Sequence, residues 1–416
     1  MPAETLESAI RIFDPKKTLK GDDLEKYYVQ RDSAAIKRLK TLLFSADDAK
    51  ILFSGHMGSG KSTELNNLVK NIEKSYQNII IVHYDILEVL DTLDLDISDV
   101  LFSLTSQLYY KALDENIPIS KPVFNELMNF INDITKEVEE IESNELSIKA
   151  KLQLLFFSSE GKYRSEEITR TKIREKIKPR LGKLIELTNF IVNQIKLAGN
   201  KVIIVIDGLD HPQKATATRI FNDYGEQISR QECPVIFTIP IDVVYSHEFN
   251  QILRHFDDRV ILPNIAVVDK NGNKIKENID LLKKSIEKRM ILDLIDDEAL
   301  EYAIKMGGGV MRELIWIIRT SCVEAVVSNQ NTITKPIVEK VVNERINDFK
   351  RILTRIEQHE ALMKIKEAKS INIIANENIL TQIPFLLRNL SVLEYNDTIW
   401  WDVHPSVLHI LRNSEK

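Results

Sequence analysis

The chain has 416 residues, of which 44% are apolar and 28% are charged, the composition of a folded globular protein with core enough for two or three domains. Its formal net charge of −6 provides no overall attraction to nucleic acid or to an acidic membrane surface. The two cysteines, Cys233 and Cys322, have no CxxC spacing and no clustered histidines around them, which argues against a disulfide framework or a zinc site.

The N-terminal residues, MPAETLESAIRIFD, are acidic and lack the basic and then apolar pattern of a secretory signal. No apolar run reaches the roughly 20 residues that cross a bilayer. We therefore expect a cytoplasmic protein without membrane contact.

The first elements in chain order alternate between helix and strand. Helical spacing predicts a helix over Ala34–Leu43, which a polar turn connects to the apolar strand Ile51–Phe53. After a glycine-rich turn, a second helix is predicted over Ser62–Tyr76, and the β-branched run Asn78–Tyr84 predicts a strand that is buried on both faces. This alternation is typical of a parallel sheet.

Two more buried strands are predicted further along the chain, at Lys201–Asp207 and Pro234–Ile239, after a helix at Ser98–Leu113. Strands that are apolar throughout and alternate with helices predict an α/β fold, in which helices cover both faces of a parallel sheet. We divide the chain into an N-terminal extension (1–21), an α/β core (22–277) with a mostly helical insertion at about 117–200, a helical segment (278–355) and a C-terminal domain (356–416).

The segment Gly55-His56-Met57-Gly58-Ser59-Gly60-Lys61-Ser62 satisfies the phosphate-binding pattern GxxxxGK[ST] between a predicted strand and a predicted helix. Glycines let backbone N–H groups turn towards phosphate oxygens, and the helix N-terminus adds partial positive charge. We expect this P-loop to bind ATP or ADP, with Lys61 on the β- and γ-phosphates and Ser62 on Mg²⁺. The alternative is a glycine-rich turn with a surface lysine. The predicted nucleotide-binding residues of the loop are Gly55, Gly58, Ser59, Gly60, Lys61, Ser62 and Thr63.

A P-loop needs an acidic residue at the end of a neighbouring buried strand, to hold Mg²⁺ and orient the attacking water. Asp207 directly follows the apolar run Val202–Ile206, and an unpaired buried carboxylate is expensive for a purely structural role. We predict Asp207 as the magnesium residue; the alternative is an aspartate that opens a turn after the strand. Asp210 is either a catalytic residue that polarises the water or the N-cap of a helix.

These motifs resemble the AAA+-related STAND class of P-loop ATPases, which includes NACHT and NB-ARC proteins and is close to the origin-recognition ATPases. The NACHT-like second motif is an apolar strand followed by Asp-Gly-apolar-Asp-Glu. The sequence IDGLDH at 206–211 matches through Asp210 and departs at His211, so the resemblance implies slow hydrolysis, as suits a switch.

The resemblance also implies roles outside the two motifs. Val29 and Arg31 would lie beside the adenine, unless they only begin a helix with an exposed arginine. Thr238 would be a polar sensor near the γ-phosphate, or simply a strand-end threonine. In Gly307-Gly308-Gly309-Val310-Met311-Arg312-Glu313-Leu314, Arg312 resembles the second sensor, which reaches the γ-phosphate from a helical lid (278–355); the alternative is a flexible hinge with a solvent-exposed arginine.

The C-terminal segment predicts a helix at Asn378–Asn389 and a hairpin of Val392–Tyr395 with Ile399–Val403, the order of a winged-helix domain. His404 resembles the STAND histidine that contacts the β-phosphate of ADP, although Val403 and Pro405 replace its usual neighbours. A histidine packed beneath the hairpin is the alternative. Lys350–Lys416 carries nine basic and eight acidic residues, which does not favour DNA binding.

We expect a nucleotide-dependent conformational and assembly switch, an ATPase that acts with further copies of itself or with a separate effector. The resemblance implies bacterial antiviral defence as its setting. The alternatives are a DNA-binding replication or transposition ATPase and a scaffold that binds nucleotide without turnover. In the insertion, Arg164, Arg170, Arg174 and Arg180 are either trans-acting arginines in an assembled ring or a solvated face paired with the acidic run near Glu139.

Overall fold

The computed structural model describes residues 2–90, 94–135, 167–372, 374, 376–395 and 399–414. The chain forms two compact units. The first, which we name the loop unit, contains Met1–Ile36, Gly55–Asn67 and Ile261–Lys416. The second, the sheet unit, contains Lys37–Ser54 and Leu68–Val260.

The strands form one parallel sheet of five strands in the order β2-β3-β4-β1-β5 and one antiparallel hairpin of β6 with β7. Their bounds are β1 Lys50–Gly55, β2 Ile79–Asp85, β3 Lys201–Asp207, β4 Val235–Thr238, β5 Asp258–Leu262, β6 Val392–Tyr395 and β7 Trp400–Val403.

Helices account for most of the remaining described chain. The α-helices are Leu6–Ile12, Gly21–Tyr27, Ala34–Leu43, Lys61–Ser75, Ile86–Leu90, Ile97–Asp114, Lys121–Thr135, Glu167–Ile177, Leu181–Leu197, Lys214–Thr218, Gly225–Ile228, Ile241–Val244, Phe249–Ile252, Lys276–Glu287, Asp297–Met306, Met311–Val327, Lys335–Ile352, Ile356–Ala368, Glu377–Leu380, Ile383–Arg388 and Pro405–Ser414. Shorter 3-10 turns occupy Lys178–Arg180, Leu253–His255 and Leu292–Leu294, and a π-helical turn occupies Arg219–Asp223.

The core of the sheet unit lies along the central strands of the parallel sheet. Every residue of β4 is buried, and so is every residue of β3 after Lys201. Such strands lie between helices on both faces of a sheet, as their unbroken apolar runs predict. The fifth strand, β5, has no comparable apolar run, because it lies at the sheet edge and only two of its five residues are buried.

In the loop unit, the C-terminal hairpin pairs Val392 with Val403 and Tyr395 with Trp400, in agreement with the two predicted strands. The predicted turn at Asn396-Asp397 lies outside the described residues. The predicted helix Asn378–Asn389 is instead two short helices, Glu377–Leu380 and Ile383–Arg388. The interruption has a local cause, since Pro384 has no N–H and its ring would collide with the carbonyl of Leu380 in a continuous helix.

The predicted N-terminal extension is folded into the loop unit. Thr5 caps the helix Leu6–Ile12 through a reciprocal bond with Ser8. Ala3 pairs with Met290, and the Arg319 Nε donates to the Ile10 carbonyl at 3.2 Å. Phe13 is fully buried. This segment therefore contributes to the core of its unit.

The predicted fold class is confirmed: an α/β protein with a parallel sheet, a helical lid segment and a C-terminal winged-helix domain with its hairpin. Among the described residues, no helix is both long and apolar enough to cross a bilayer.

Candidate functional site

The P-loop connects the end of β1 at Gly55 to a helix that begins at Lys61, which we name the P-loop helix (Lys61–Ser75). Within the loop, the Ser59 N–H donates to the His56 carbonyl at 3.1 Å. The first N–H groups of any helix have no carbonyl four residues earlier in the helix to bind. In the P-loop helix these groups include the backbone N–H groups of Lys61 and Ser62. The end of the P-loop therefore presents hydrogen-bond donors and partial positive charge to an anion.

Lys61 lies folded over the P-loop. Its ammonium donates to the Gly55 carbonyl at 2.9 Å and to the His56 carbonyl at 3.0 Å, and the residue is 5% exposed. The Ser59 hydroxyl is buried without a hydrogen-bond partner in the part of the chain that the structure describes. A buried polar atom without a partner is costly, and phosphate oxygens would satisfy it. The loop therefore fits a phosphate chain.

Arg31 lies against the P-loop helix rather than in solvent. Its Nε is 3.1 Å from a Glu64 carboxylate oxygen, and both side chains are largely buried. Tyr28 donates to the same carboxylate at 3.0 Å. Burial lowers the pKa of Arg31 and raises the pKa of Glu64, while each charge opposes the shift of the other. Val29 is partly buried. The adenine role of Val29 and Arg31 stays a prediction.

Arg312 begins the helix Met311–Val327, which we name the lid helix, beside the P-loop. Its backbone N–H donates to the Gly58 carbonyl at 3.1 Å. A Cβ on Gly58 would lie 2.4 Å from the Arg312 Cβ, and Gly58 has a φ of +81°, so only glycine permits this approach. Within the described residues, no ion pair or hydrogen bond of the Arg312 guanidinium is seen.

His56 is a site residue that the sequence prediction did not single out. The imidazole is fully buried, and its nitrogens lie 3.0 Å from the Leu387 carbonyl and 2.9 Å from the Glu394 backbone nitrogen. Burial lowers its pKa to about 3, so the ring is neutral at physiological pH. The variable positions of the GxxxxGK[ST] pattern carry no signal for such contacts, which arise only in the folded chain.

His404 is fully buried beneath the hairpin, and its ring lies 5.0 Å from that of Phe349. Its Nδ1 accepts a hydrogen bond from the Ser406 N–H at 3.2 Å. Burial lowers its pKa to about 3, so the ring is neutral and its proton lies on Nε2. That Nε2 is buried without a partner among the described residues, which leaves one donor for an acceptor such as a phosphate oxygen.

The acidic residues belong to the sheet unit, at the carboxyl ends of β2 and β3. Asp207 and Asp210 are both nearly buried, and the strand register pairs Asp207 with Asp85. Burial raises the pKa of Asp85, and the charge of Asp210 raises it further. The helix that follows begins at Lys214 with Gln213 as its N-cap, so Asp210 does not cap it. The catalytic role of Asp210 stays a prediction.

Thr238 ends β4 and is fully buried. Its hydroxyl accepts a hydrogen bond from the Leu209 N–H at 3.0 Å, and it therefore fixes the turn between Asp207 and Asp210. The sheet unit thus brings Asp85, Asp207, Asp210 and Thr238 to the carboxyl ends of neighbouring strands of the sheet. The loop unit separately brings together the P-loop, Arg31 and Arg312.

The arginines of the insertion are engaged in ion pairs where the structure describes them. Arg174 binds Asp99 at 2.5 Å and Asp94 at 3.1 Å. Arg180 lies 3.3 Å from Asp133. Arg164 and the acidic run near Glu139 lie outside the described residues, as does the side chain of Arg170. The observed pairs favour the structural interpretation for Arg174 and Arg180.

Among the described residues, no group of three or more His, Cys, Asp or Glu side chains could hold a metal ion alone. Mg²⁺ does not need such a cage, because it commonly binds one or two protein oxygens together with phosphates and water. The magnesium roles of Ser62 and of Asp207 stay predictions.

No family model matches the chain, and no curated protein does either. Several solved structures resemble it over nearly its full length. The Aeropyrum pernix ORC2 protein, solved with ADPNP and ADP, is 12% identical over 97% of this chain and 96% of its own, with a TM-score of 0.44. The Aeropyrum pernix ORC1 protein in complex with DNA is 9% identical over 98% and 96%, also with a TM-score of 0.44.

The Thermotoga maritima RuvB Holliday junction branch migration motor is 14% identical over 96% of this chain and 98% of its own, with a TM-score of 0.36.

Proposed function

We propose that this chain binds and hydrolyses ATP with Mg²⁺ and uses the nucleotide as a conformational switch. The observation that carries the proposal is the P-loop itself. The Lys61 ammonium lies over the loop carbonyls, the amides of a helix N-terminus lie beside it, and the buried Ser59 hydroxyl has no partner among the described residues. A phosphate chain satisfies all three.

The remaining roles follow from the chemistry of each side chain. By the two sequence motifs, Ser62 and Asp207 would hold Mg²⁺, which would neutralise phosphate charge. Asp210, buried in the turn that follows β3, orients the attacking water. Because His211 stands where a glutamate would otherwise follow, turnover is slow.

The switch acts through the lid helix and the winged-helix domain. Arg312 contacts the γ-phosphate, which only the triphosphate provides, and the unpartnered Nε2 of His404 contacts ADP. Each nucleotide therefore stabilises a different arrangement of the chain. The neutral ring of His404 acts as a hydrogen-bond donor, not as a cation.

The experiment that tests nucleotide binding is calorimetric titration of the full chain with ATP and Mg²⁺. We expect Lys61→Ala to abolish binding, because it removes the charge that contacts the phosphates directly. Lys74→Ala is the matched control, since Lys74 is an exposed lysine of the same helix, and it should bind as the wild type does. Equal affinity of wild type and Lys61→Ala would overturn the site assignment.

A phosphate-release assay tests hydrolysis separately. Asp207→Asn should retain most ATP affinity and lose magnesium-dependent turnover, because Asp207 acts through the metal. A wild type that binds ATP but releases no phosphate would favour a nucleotide-binding scaffold instead.

We propose that the triphosphate state associates with further copies of the chain or with a separate effector protein. The setting in antiviral defence stays a prediction of the STAND resemblance. Identification of co-purifying proteins with and without a non-hydrolysable ATP analogue tests both. Duplex DNA binding that weakens steeply with salt would favour the replication-type alternative.

A further inference from the structure

The outer edge of β6 is occupied at Glu394. The Glu394 carbonyl accepts hydrogen bonds from the backbone N–H of Asn264 at 3.1 Å and from its side-chain amide at 3.2 Å. The Glu394 N–H donates to the His56 Nε2 at 2.9 Å. Strand edges need such partners for their N–H and C=O groups when they are buried. Here a side chain of the P-loop supplies one of them.

The protonation of His56 is fixed by its two partners. Since Nε2 accepts the Glu394 N–H, the ring proton lies on Nδ1, which donates to the Leu387 carbonyl at 3.0 Å. Leu387 belongs to the helix Ile383–Arg388, which precedes the hairpin. One buried imidazole therefore binds both a helix and a strand of the winged-helix domain. We name this pair of bonds the His56 bridge.

The backbone of His56 contacts the side chain of Lys61 at the same time. Its carbonyl accepts the Lys61 ammonium at 3.0 Å, and the Ser59 N–H binds the same oxygen at 3.1 Å. The side chain of one residue thus binds the winged-helix domain while its carbonyl binds the side chain that would contact phosphate. No other residue of the P-loop has both connections among the described contacts.

We propose that the His56 bridge fastens the winged-helix domain to the P-loop, and that a nucleoside triphosphate in the loop weakens it. The inference rests on the proposed function. A charged phosphate oxygen is a stronger acceptor than a neutral carbonyl, so it draws hydrogen bonds of Lys61 away from the carbonyls of Gly55 and His56. The His56 peptide then shifts, and hydrogen bonds weaken steeply once their geometry is lost. His56 is a positioning residue in this scheme.

Amide hydrogen exchange of Glu394 measures the bridge directly in the full chain. In the wild type, a saturating, slowly hydrolysed ATP analogue should speed this exchange on the order of tenfold, the effect of one buried hydrogen bond on local opening. His56→Leu keeps an apolar side chain but has neither donor nor acceptor. It should speed Glu394 exchange without nucleotide and remove the response to the analogue.

Two further variants separate the bridge from a general loss of packing. His359→Leu is the matched control, because the His359 Nε2 lies 3.2 Å from the Leu353 carbonyl elsewhere in the loop unit; Glu394 exchange should stay at the wild-type rate. His56→Gln retains a donor and an acceptor in one side chain and should recover part of the protection that His56→Leu loses. If His56→Leu does not fold, the test uses Glu394 exchange in His56→Gln and in the wild type with and without the analogue.

The outcomes distinguish this inference from the proposed function. If calorimetry shows that the wild type binds the analogue but Glu394 exchange does not change, nucleotide control of the bridge is wrong while the proposed function stands. If His56→Leu folds and Glu394 exchanges at the wild-type rate, the bridge itself is wrong. If the wild type does not bind the analogue, both the proposed function and the nucleotide control are overturned.

Discussion

Arg31 and Glu64 form a buried ion pair in which each charge favours the ionised form of the other. Both side chains are largely shielded from solvent, and burial raises the pKa of Glu64 while Arg31 lowers it. A pair of this kind contributes little net stability, but removing one partner leaves a buried charge uncompensated. Arg31 therefore stabilises the fold by neutralising Glu64, whether or not it also contacts adenine.

Arg31→Met should lower the free energy of unfolding by about 3 kcal/mol or more at pH 8. Without Arg31, the folded-state pKa of Glu64 rises further above its ordinary value of 4.5. A carboxyl with a raised folded-state pKa contributes stability that is fully present below its unfolded pKa and lost as the pH rises through the folded pKa. The loss should therefore be smaller near pH 5 than at pH 8.

Denaturant unfolding at both pH values measures this effect. Arg38→Met is a suitable control, because Arg38 also pairs with a carboxylate, Asp258, but is 60% exposed. Exposed pairs contribute at most about 1 kcal/mol, so the control should be nearly neutral at either pH. Equal losses for the two variants, or a pH-independent loss for Arg31→Met, would contradict the buried-pair interpretation.

At the scale of elements, the contact between the P-loop and the lid helix depends on a glycine. Gly58 has a φ of +81° and Gly60 a φ of +99°, but a Cβ would collide with Arg312 only at Gly58, and nothing lies within 4 Å of a Cβ on Gly60. The two positions therefore share backbone strain and differ in steric contact.

Alanine at either glycine should cost about 1–3 kcal/mol for the positive φ. Gly58→Ala should cost about 1–3 kcal/mol more than Gly60→Ala, because the lid helix must also move. Thermal or denaturant unfolding without nucleotide compares them, so that differences in ligand affinity do not enter. Equal stabilities would mean that the lid helix does not press on the loop in solution.

Local sequence signals predicted the elements well where one face or both faces of an element are apolar. The helix Ala34–Leu43 and the strand Lys201–Asp207 have the predicted bounds. Strand β5 was not predicted, because an edge strand is only partly buried and its sequence need not be apolar throughout. The break before Pro384 was present in the sequence as a proline, but the apolar spacing of Asn378–Asn389 outweighed it in our interpretation.

In the candidate site, too, the sequence predicted some features and missed others. The P-loop is predictable because its chemistry requires particular residues at fixed spacing. The bonds of His56 to Leu387 and Glu394 join residues far apart in the chain, and no local pattern encodes such a contact. The partners of Arg31 and Thr238 were missed for the same reason.

For the whole molecule, the proposed switch predicts opposite effects of two substitutions. Arg312→Ala should remain monomeric even with an ATP analogue, because the γ-phosphate loses its contact on the lid helix. His404→Ala should weaken ADP retention and favour the associated form, because it removes the donor proposed for ADP.

Light scattering with ADP and with a slowly hydrolysed ATP analogue measures both variants. His359→Ala is a control for His404→Ala, since it removes another histidine of the loop unit, whose Nε2 lies 3.2 Å from the Leu353 backbone carbonyl. If neither Arg312→Ala nor His404→Ala changes the size distribution relative to wild type, the lid and winged-helix roles are wrong even if the P-loop binds ATP.

The loop unit is assembled from three separated stretches of chain, and this arrangement has a consequence for synthesis on the ribosome. The first helix emerges early, but Met290, which pairs with Ala3, and Arg319, which binds Ile10, emerge much later. Ala9 and Phe13 therefore cannot pack against the part of the loop unit that contains Met290 and Arg319 until most of the polypeptide has been made. A nascent chain arrested before residue 261 leaves the apolar side chains of this N-terminal segment exposed, and exposed apolar surface of this kind is prone to aggregation.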